Sequence, residues 1–467
     1  MPRLTEMMLL RILIAARFLF CAFRGADQTI TIDEAMTFNR FIDGPWSLLY
    51  ATYDANNHVL YTILAKACTR LFGVSEFALR VPSLFAGLFL MLAVVELLKR
   101  ASSPWFRTAA FLAIALHPVL LDLSIAARGY SLSIACLLWG MIWALRGHEL
   151  WASVLFGLAV SANLGVAFPI LAFIVCSVVV DATGTNRIRH LLRLTLPALL
   201  CFLAICALPL WTAQRESFYA GYDSLRTALD SYVYTSIHAR PDDEGLFGTG
   251  EAARVIAFGI LPLTLAALLM IAWLHRSRKA NLLPLATLVV TAFGFVLAHV
   301  GLGVAYPADR SCLFFIPLLC VAWAIGFSEV SNRAMQCIQL ALCAAMVAQF
   351  ATQLHGSYFQ FWSQEIENRR MVEILRDATK SCPDHSVLVS ATFYHQPTLE
   401  FYRTQLPLKA LQPVEHVEEP QLTGHDFYVL NRPAQESLTG LRILHKNEDA
   451  GFVMASSPVA ASCIQVR

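Results

Sequence analysis

Long apolar blocks alternate with short polar ones up to residue 354, and only the last hundred or so residues have the mixed pattern of a water-soluble chain. A membrane-crossing helix needs about 20 mainly apolar residues. Windows of that kind lie at 7–23, 81–98, 105–121, 129–145, 150–164, 165–180, 194–211, 254–274, 282–301, 311–328 and 336–354, which makes eleven spans. The 150–180 region is interrupted by Ser161, Asn163 and Gly165, so it reads either as two short spans or as one long broken one. The window 7–23 carries Arg11 and Arg17 and no small-residue cleavage site follows it, which predicts a retained first span rather than a signal peptide.

Two long polar stretches, 24–80 and 212–253, interrupt the apolar pattern. Within the first, Thr31 and Glu34 have the spacing of a capping box, and Ala35, Phe38, Phe41 and Ile42 follow on one helical face. A second helix is marked by Leu60, Ile63, Leu64, Ala67, Cys68, Leu71 and Phe72 at helical spacing, with Lys66 and Arg70 on the other side and Gly73 as its stop. Both have the pattern of helices lying in a membrane interface. Residues 355–467 predict a small α/β domain on the same side as the long loops: a charged helix over 364–379, strand-like runs at 386–391, 427–430 and 451–455, and a helical run at 397–403.

Composition agrees with a polytopic α-helical membrane protein: 57% of the 467 residues are hydrophobic, 15% are charged, and mean hydropathy is +0.57, where a soluble chain is about 25% charged. The net charge of +2 excludes a nucleic-acid-binding surface. Short-loop basic residues (Lys99, Arg100, Arg107, Arg146, Arg187, Arg189, Arg193, Arg276, Arg278, Lys279 and Arg333) fall on one side under the eleven-span reading, the side of Arg3. That side is cytoplasmic. Both long loops and the C-terminal domain then face the opposite compartment. Most of the twelve cysteines lie in apolar runs, where they behave as small hydrophobes; Cys382 and Cys463 lie in the C-terminal domain, as a bridge or as two free thiols.

The candidate chemistry lies on that outward side. Asp33 and Glu34 are adjacent acids at a helix start, where both suit the helix dipole; capping alone accounts for Glu34, whereas Asp33 reads equally as a helix-start acid or as a general base. Asn57, His58 and Tyr61 open the second loop helix with groups able to hydrogen-bond sugar hydroxyls or a phosphate, although a turn and N-cap explain the amides equally well. Asp122 and Arg128 flank a short outward loop, Tyr130 follows it, and Asp309-Arg310 stands at the outward end of the tenth span. Arginine suits a phosphate or pyrophosphate, against the alternative of snorkelling to headgroups. The acid run Asp242, Asp243 and Glu244 reads as a solvated charge cluster.

Thr31-Ile32-Asp33-Glu34-Ala35, then Asn57-His58-Val59-Leu60-Tyr61, then Ser75-Glu76-Phe77-Ala78-Leu79-Arg80-Val81-Pro82-Ser83, with Ala127-Arg128-Gly129-Tyr130 and the segment from Tyr306 through Asp309-Arg310 to Pro317, resemble the GT-C membrane glycosyltransferases. The branch they resemble is that of protein O-mannosyltransferases and aminoarabinose lipid A transferases, over roughly the first 330 residues. The resemblance implies a polyprenyl-phosphate sugar donor, an inverting transfer to a lipid, glycan or protein hydroxyl, and an active site on the periplasmic or exterior face of a bacterial inner membrane. It implies Asp33 as base, with Glu34 and Asp122 as further acids, Arg310, Arg128 and His58 on the donor phosphate, and Asn57, Tyr61 and Tyr130 near acceptor or sugar. This chain has Asn57-His58-Val59 where the family often has a basic residue before two prolines, and Asp122 matches the family's second acid only loosely. No metal ligands and no certain cofactor are read from the sequence, which leaves room for an assisting divalent ion. The competing readings are a transporter or flippase for lipid-linked sugars, which should show internal repeats and mid-membrane charges, and a non-catalytic glycan-assembly component.

Overall fold

The computed structural model describes every residue except 1, 182–185, 215–220, 239–249, 275–278, 357–358, 383–385, 407, 409, 417–423, 435–437, 449, 461–462 and 465–467. The acid run at 242–244 lies outside the described residues. The chain divides into two compact units: Met1–Phe23, Tyr50–Leu64 and Val81–Leu354 form the first, and Arg24–Leu49, Ala65–Arg80 and His355–Arg467 the second. The first long loop is thus shared between units, and most of it clusters with the C-terminal domain rather than with the apolar helices, a grouping that the hydrophobic pattern does not suggest.

In the first unit a helix lies on each of the eleven apolar windows. Among the described residues five helices are long and apolar enough to cross a membrane: Glu76–Leu98, Arg187–Trp211, Gly250–Leu274, Asn281–Leu302 and Arg333–Thr352; Tyr130–Leu145, Glu149–Ala162, Leu164–Val180 and Phe315–Ser328 are shorter apolar helices. Many of their exposed side chains are apolar, among them Leu199, Leu203, Leu263, Met270, Phe293 and Leu297. Apolar surface on that scale belongs in hydrocarbon. Arg17, buried inside the first helix, is satisfied within the unit: Nε donates to Ala115 O at 3.0 Å and Nη2 to Ser124 Oγ at 2.8 Å.

Two windows have breaks with identifiable causes. The 105–121 window is not one helix: Pro104–Ala115 stops and Pro118–Asp122 begins after His117, which adopts φ −58° and ψ 120° because a residue before proline is pushed out of the helical region. The 150–180 region resolves into two helices, Glu149–Ala162 and Ala167–Asp181, parted by extended Asn163, whose side chain accepts the Gly165 amide. The second long loop holds a helix, Leu225–Ile237, that its sequence did not announce.

The second unit is built on a five-stranded sheet in the order β2-β1-β3-β5-β4: β1 Val389–Ala391, β2 Glu415–His416, β3 Phe427–Asn431, β4 Arg442–Asn447 and β5 Phe452–Ser456. β1 runs parallel to β2 and β3, and β5 is antiparallel to β3 and β4. The interior strands β1, β3 and β5 are buried on both faces, which is why they read as continuous apolar runs. The helices Asn368–Ala378 and Gln396–Gln405 belong to the same unit. Cys382 and Cys463 form a disulfide, so of the two arrangements open in the sequence the bridge is the one formed.

The first-loop elements in this unit follow their sequence signals in part. Ile32–Thr37 is a helix with Thr31 as N-cap and both halves of the capping box made, continued by a π turn Phe38–Ile42; Ala35, Phe38, Phe41 and Ile42 are buried. The helix Val59–Phe72 ends before Gly73, whose φ of +81° favours glycine. Its faces are the reverse of those of a helix packed by its apolar side. Leu64, Leu71 and Phe72 are exposed, whereas Lys66 is buried and its Nζ donates to Phe41 O at 2.9 Å, Gly44 O at 2.7 Å and Pro45 O at 3.2 Å. The lysine closes the preceding loop by capping three carbonyls.

Candidate active site

In the first unit a cluster forms around the 126–130 turn. Ser83 Oγ lies 3.0 Å from Tyr61 Oη and donates to Ala126 O at 2.6 Å. Arg128, buried, donates through Nη1 to Asn56 O at 2.8 Å and also to Asn56 Oδ1. His58 Nδ1 donates to Ala162 O at 2.7 Å, and its ring stands edge-on to Tyr130 with centroids 5.0 Å apart. A proton on Nδ1 leaves Nε2 of the neutral ring as an acceptor. The turn admits this only because residue 129 is glycine: a Cβ there would lie 2.1 Å from Ala162 O and 2.9 Å from His58 Nδ1. Asn57, also buried, accepts from Thr62 Oγ1 at 2.8 Å.

Five residues singled out in the sequence, His58, Tyr61, Arg128, Tyr130 and Asn57, therefore share one locality, but with unequal freedom. Tyr61 is buried and bonded to Ser83, and an arm of Arg128 is committed to Asn56, so both brace the loop. Asp122 is buried at the end of Pro118–Asp122, where its carbonyl accepts the amides of Ile125 and Ala126 and so shapes the turn. Arg310 lies in the short turn Asp309–Cys312 and is half-buried. That turn is pinned by Asp309, which accepts from Ser231 Oγ at 2.8 Å and Tyr222 Oη at 3.2 Å, and by the Tyr222–Tyr306 backbone bridge. A Cβ on Gly165 would lie 3.5 Å from Ser311 O, which puts the Arg310 turn beside the segment that receives His58.

In the second unit the two adjacent acids separate. Glu34 is fully buried: its Oε2 accepts the Thr31 amide at 2.8 Å and Arg80 Nη2 at 2.7 Å, and its Oε1 accepts Arg80 Nε at 2.9 Å. Arg80 also donates to Gly25 O, Gln28 O and Thr29 O. Asp33, one position earlier, is half-buried, and its carbonyl accepts Thr37 Oγ1 at 2.9 Å. Arg80 entered the sequence reading only as part of a motif; a lone arginine at the edge of an apolar run is the signal that could have marked it. Glu365, whose Oε2 accepts the Ile32 amide at 2.5 Å, carried no such signal inside a charged stretch. Burial, and then the nearby Asp33 and Glu34, push its carboxyl well above the usual carboxylate range. Among the described residues no group of three or more His, Cys, Asp or Glu side chains is arranged to hold a metal.

The fold is that of the GT-C membrane glycosyltransferases. Two solved structures of ArnT from Cupriavidus metallidurans are similar over nearly the whole chain: the apo state at 13% identity and TM-score 0.54, covering 96% of this chain and 98% of that one, and the form bound to undecaprenyl phosphate at 15% and 0.53, covering 98% and 99%. The arabinofuranosyltransferase AftD from mycobacteria matches 97% of this chain and 40% of its own at 12% identity and TM-score 0.48. No family model and no curated protein matches the sequence.

Proposed function

We propose that this protein is a membrane glycosyltransferase that moves a sugar from a polyprenyl-phosphate donor to a hydroxyl of a lipid, glycan or protein at the non-cytoplasmic face, with inversion. The observation that carries the reading is the division of labour in the acid pair: Glu34 is consumed by Arg80 and the capping box, whereas Asp33 stands half-buried in the first turn of a capped helix. A carboxylate in that setting can accept the acceptor's hydroxyl proton. The acceptor oxygen then bonds to the anomeric carbon as the bond from that carbon to the phosphate oxygen breaks, and the electron pair leaves with polyprenyl phosphate. Arg310, in its pinned turn, is the proposed ligand of that phosphate, and His58 is proposed beside it. Arg128 is assigned to holding the Asn56–His58 loop, with Asn57 and Tyr130 toward the sugar. The undecaprenyl phosphate in the second ArnT structure supports the donor class.

Asp33→Asn keeps size and capping geometry but removes basicity. Transfer by the purified variant in nanodiscs, offered polyprenyl-phosphate sugars, should fall by roughly 10²–10⁴-fold while donor binding persists. Near-normal turnover in Asp33→Asn would sink the assignment of the base.

A further inference from the structure

The C-terminal part of the second unit contributes a carboxyl that the proposed chemistry leaves without a role. Glu365, 2% exposed, closes the turn Gln360–Glu365. Its Oε2 accepts the Ile32 amide, one of the amides at a helix start that has no intrahelical acceptor. Asn368 Nδ2 lies 3.5 Å from the same oxygen. Oε1 is buried and has no hydrogen-bond partner among the described residues. Among the described residues no cation forms an ion pair with Glu365: the Arg80 arms are spent on Glu34 and three carbonyls. His395 lies behind Asn368, with Nδ1 donating to Asn368 Oδ1 at 3.2 Å, and burial lowers it to about 4, so it is neutral. The charged groups facing Glu365 are the acids Asp33 and Glu34, and both favour its protonated form.

The same segment is held on both sides of Asp33. Thr29 Oγ1 donates to Glu365 O at 3.3 Å, the Ile30 amide to Tyr402 Oη at 3.2 Å, Asn368 Nδ2 to Ile30 O at 3.2 Å, and Asn39 Nδ2 to Pro397 O at 2.9 Å. The Phe38 ring packs edge-on against Phe401 at 4.9 Å.

We propose that Glu365 is a positioning residue for Asp33, its buried Oε2 holding the first amide of the helix, so that residues of the C-terminal domain set the orientation of the base. The proposal rests on the reading of Asp33 as that base. Burial and the neighbouring acids favour the protonated form of Glu365, and an acid, unlike a carboxylate, fixes the helix without placing a second negative charge beside Asp33. Two carboxyls driven apart in proton affinity are a general way to give neighbours different tasks. The raised folded value fixes the pH sense: the contribution of Glu365 is complete below the unfolded carboxyl value of about 4.3 and is lost as pH rises through the folded one.

The test uses the full chain in nanodiscs, with E365A, E365Q and D33N compared by turnover against pH, donor KM, and amide hydrogen exchange across residues 29–42. E365A should lose about 10- to 100-fold in kcat, the scale of a small misplacement of a reacting group, with donor KM within about twofold and faster exchange in Ile32–Thr37. E365Q, which cannot ionise, should restore turnover near neutrality and carry it to higher pH than the natural residue does. Unchanged exchange and kcat in E365A, or damage in E365Q equal to that in E365A, overturns the proposal. If E365A speeds exchange while D33N stays active, the base assignment fails and the anchoring stands; if D33N is inactive and E365A exchanges normally, the anchoring alone fails.

Discussion

Replacing Arg80 by Met removes five hydrogen bonds from a site closed to bulk solvent, since Arg80 and Glu34 side chains are both 0% exposed. Stripping a buried carboxylate of its partner costs about 3–5 kcal/mol. The carbonyls of Gly25, Gln28 and Thr29, which the guanidinium reaches at 3.1, 2.6 and 2.7 Å, are orphaned as well, each at about 1–3 kcal/mol before relaxation. The total is at least about 5 kcal/mol, comparable with the whole stability of a domain, so Arg80→Met should open residues 24–37. Glu34→Gln leaves the arginine charged and short of one acceptor and should cost about 3 kcal/mol. Replacing both by apolar residues, Arg80→Met with Glu34→Leu, should cost less than the sum of the single changes, because no uncompensated charge remains. The assay is native-state hydrogen exchange of amides 24–37 in detergent, run as a double-mutant cycle, with a coupling of about 2 kcal/mol or more expected. Additivity within about 0.5 kcal/mol would refute the ion pair as the anchor of this loop. Because Glu34 is assigned to structure, activity lost in Glu34→Gln should return on cooling, and activity lost in Asp33→Asn should not.

Three further outcomes are expected. Reducing the Cys382–Cys463 bridge, which spans 81 residues, should destabilise the C-terminal domain by up to about 4.5 kcal/mol on the chain-entropy account; coincident unfolding curves with and without reductant would contradict it. Arg310→Ala should abolish saturable donor binding and Arg310→Lys should restore little of it, because a point charge does not reproduce the guanidinium fork; donor isotherms equal to wild type in both would leave the arginine as a headgroup contact. A single reporter cysteine at exposed Val459 should react with an impermeant thiol reagent added to intact cells or spheroplasts, and labelling only after lysis would overturn the outward placement of residues 355–467.

How much of this was legible in the sequence depends on how local the cause is. Thr31 and Glu34 announce a capping box by spacing alone, and the box is made. The buried strands Val389–Ala391, Phe427–Asn431 and Phe452–Ser456 announce themselves as apolar runs, whereas the edge strands Glu415–His416 and Arg442–Asn447 do not, being short or polar and paired on one side. Lys66 shows the limit of periodicity. The pattern correctly separates it from Leu64 and Leu71, but cannot say that Lys66 turns inward to cap carbonyls from residues 41–45 while Arg70, on the same side of the helix, stays exposed. Of the candidate site, the clustering of His58, Tyr61 and Arg128 was accessible only through a motif, since nothing local links Tyr61 to Ser83 or Arg128 to Asn56. Glu365 was illegible, because its burial is set by contacts more than 300 residues away in the chain.

The adjacency of Asp33 and Glu34 in sequence is itself misleading about their chemistry. Successive helical residues point about 100° apart, so neighbouring acids can differ in burial, and here Glu34 is fully buried whereas Asp33 is half-buried. The inward acid cannot remain an unpaired charge, and Arg80 is what makes its burial tolerable. Glu34 is paired with Arg80, and burial holds the Glu365 carboxyl well above the usual carboxylate range, so on the proposed assignment Asp33 is the acid left to act as base. Three charged carboxyls in one place would force a proton onto one of them. On the proposed assignment, the ion pair and the buried acid serve one requirement, that this helix start present one reactive carboxylate while two further acids lie close to it.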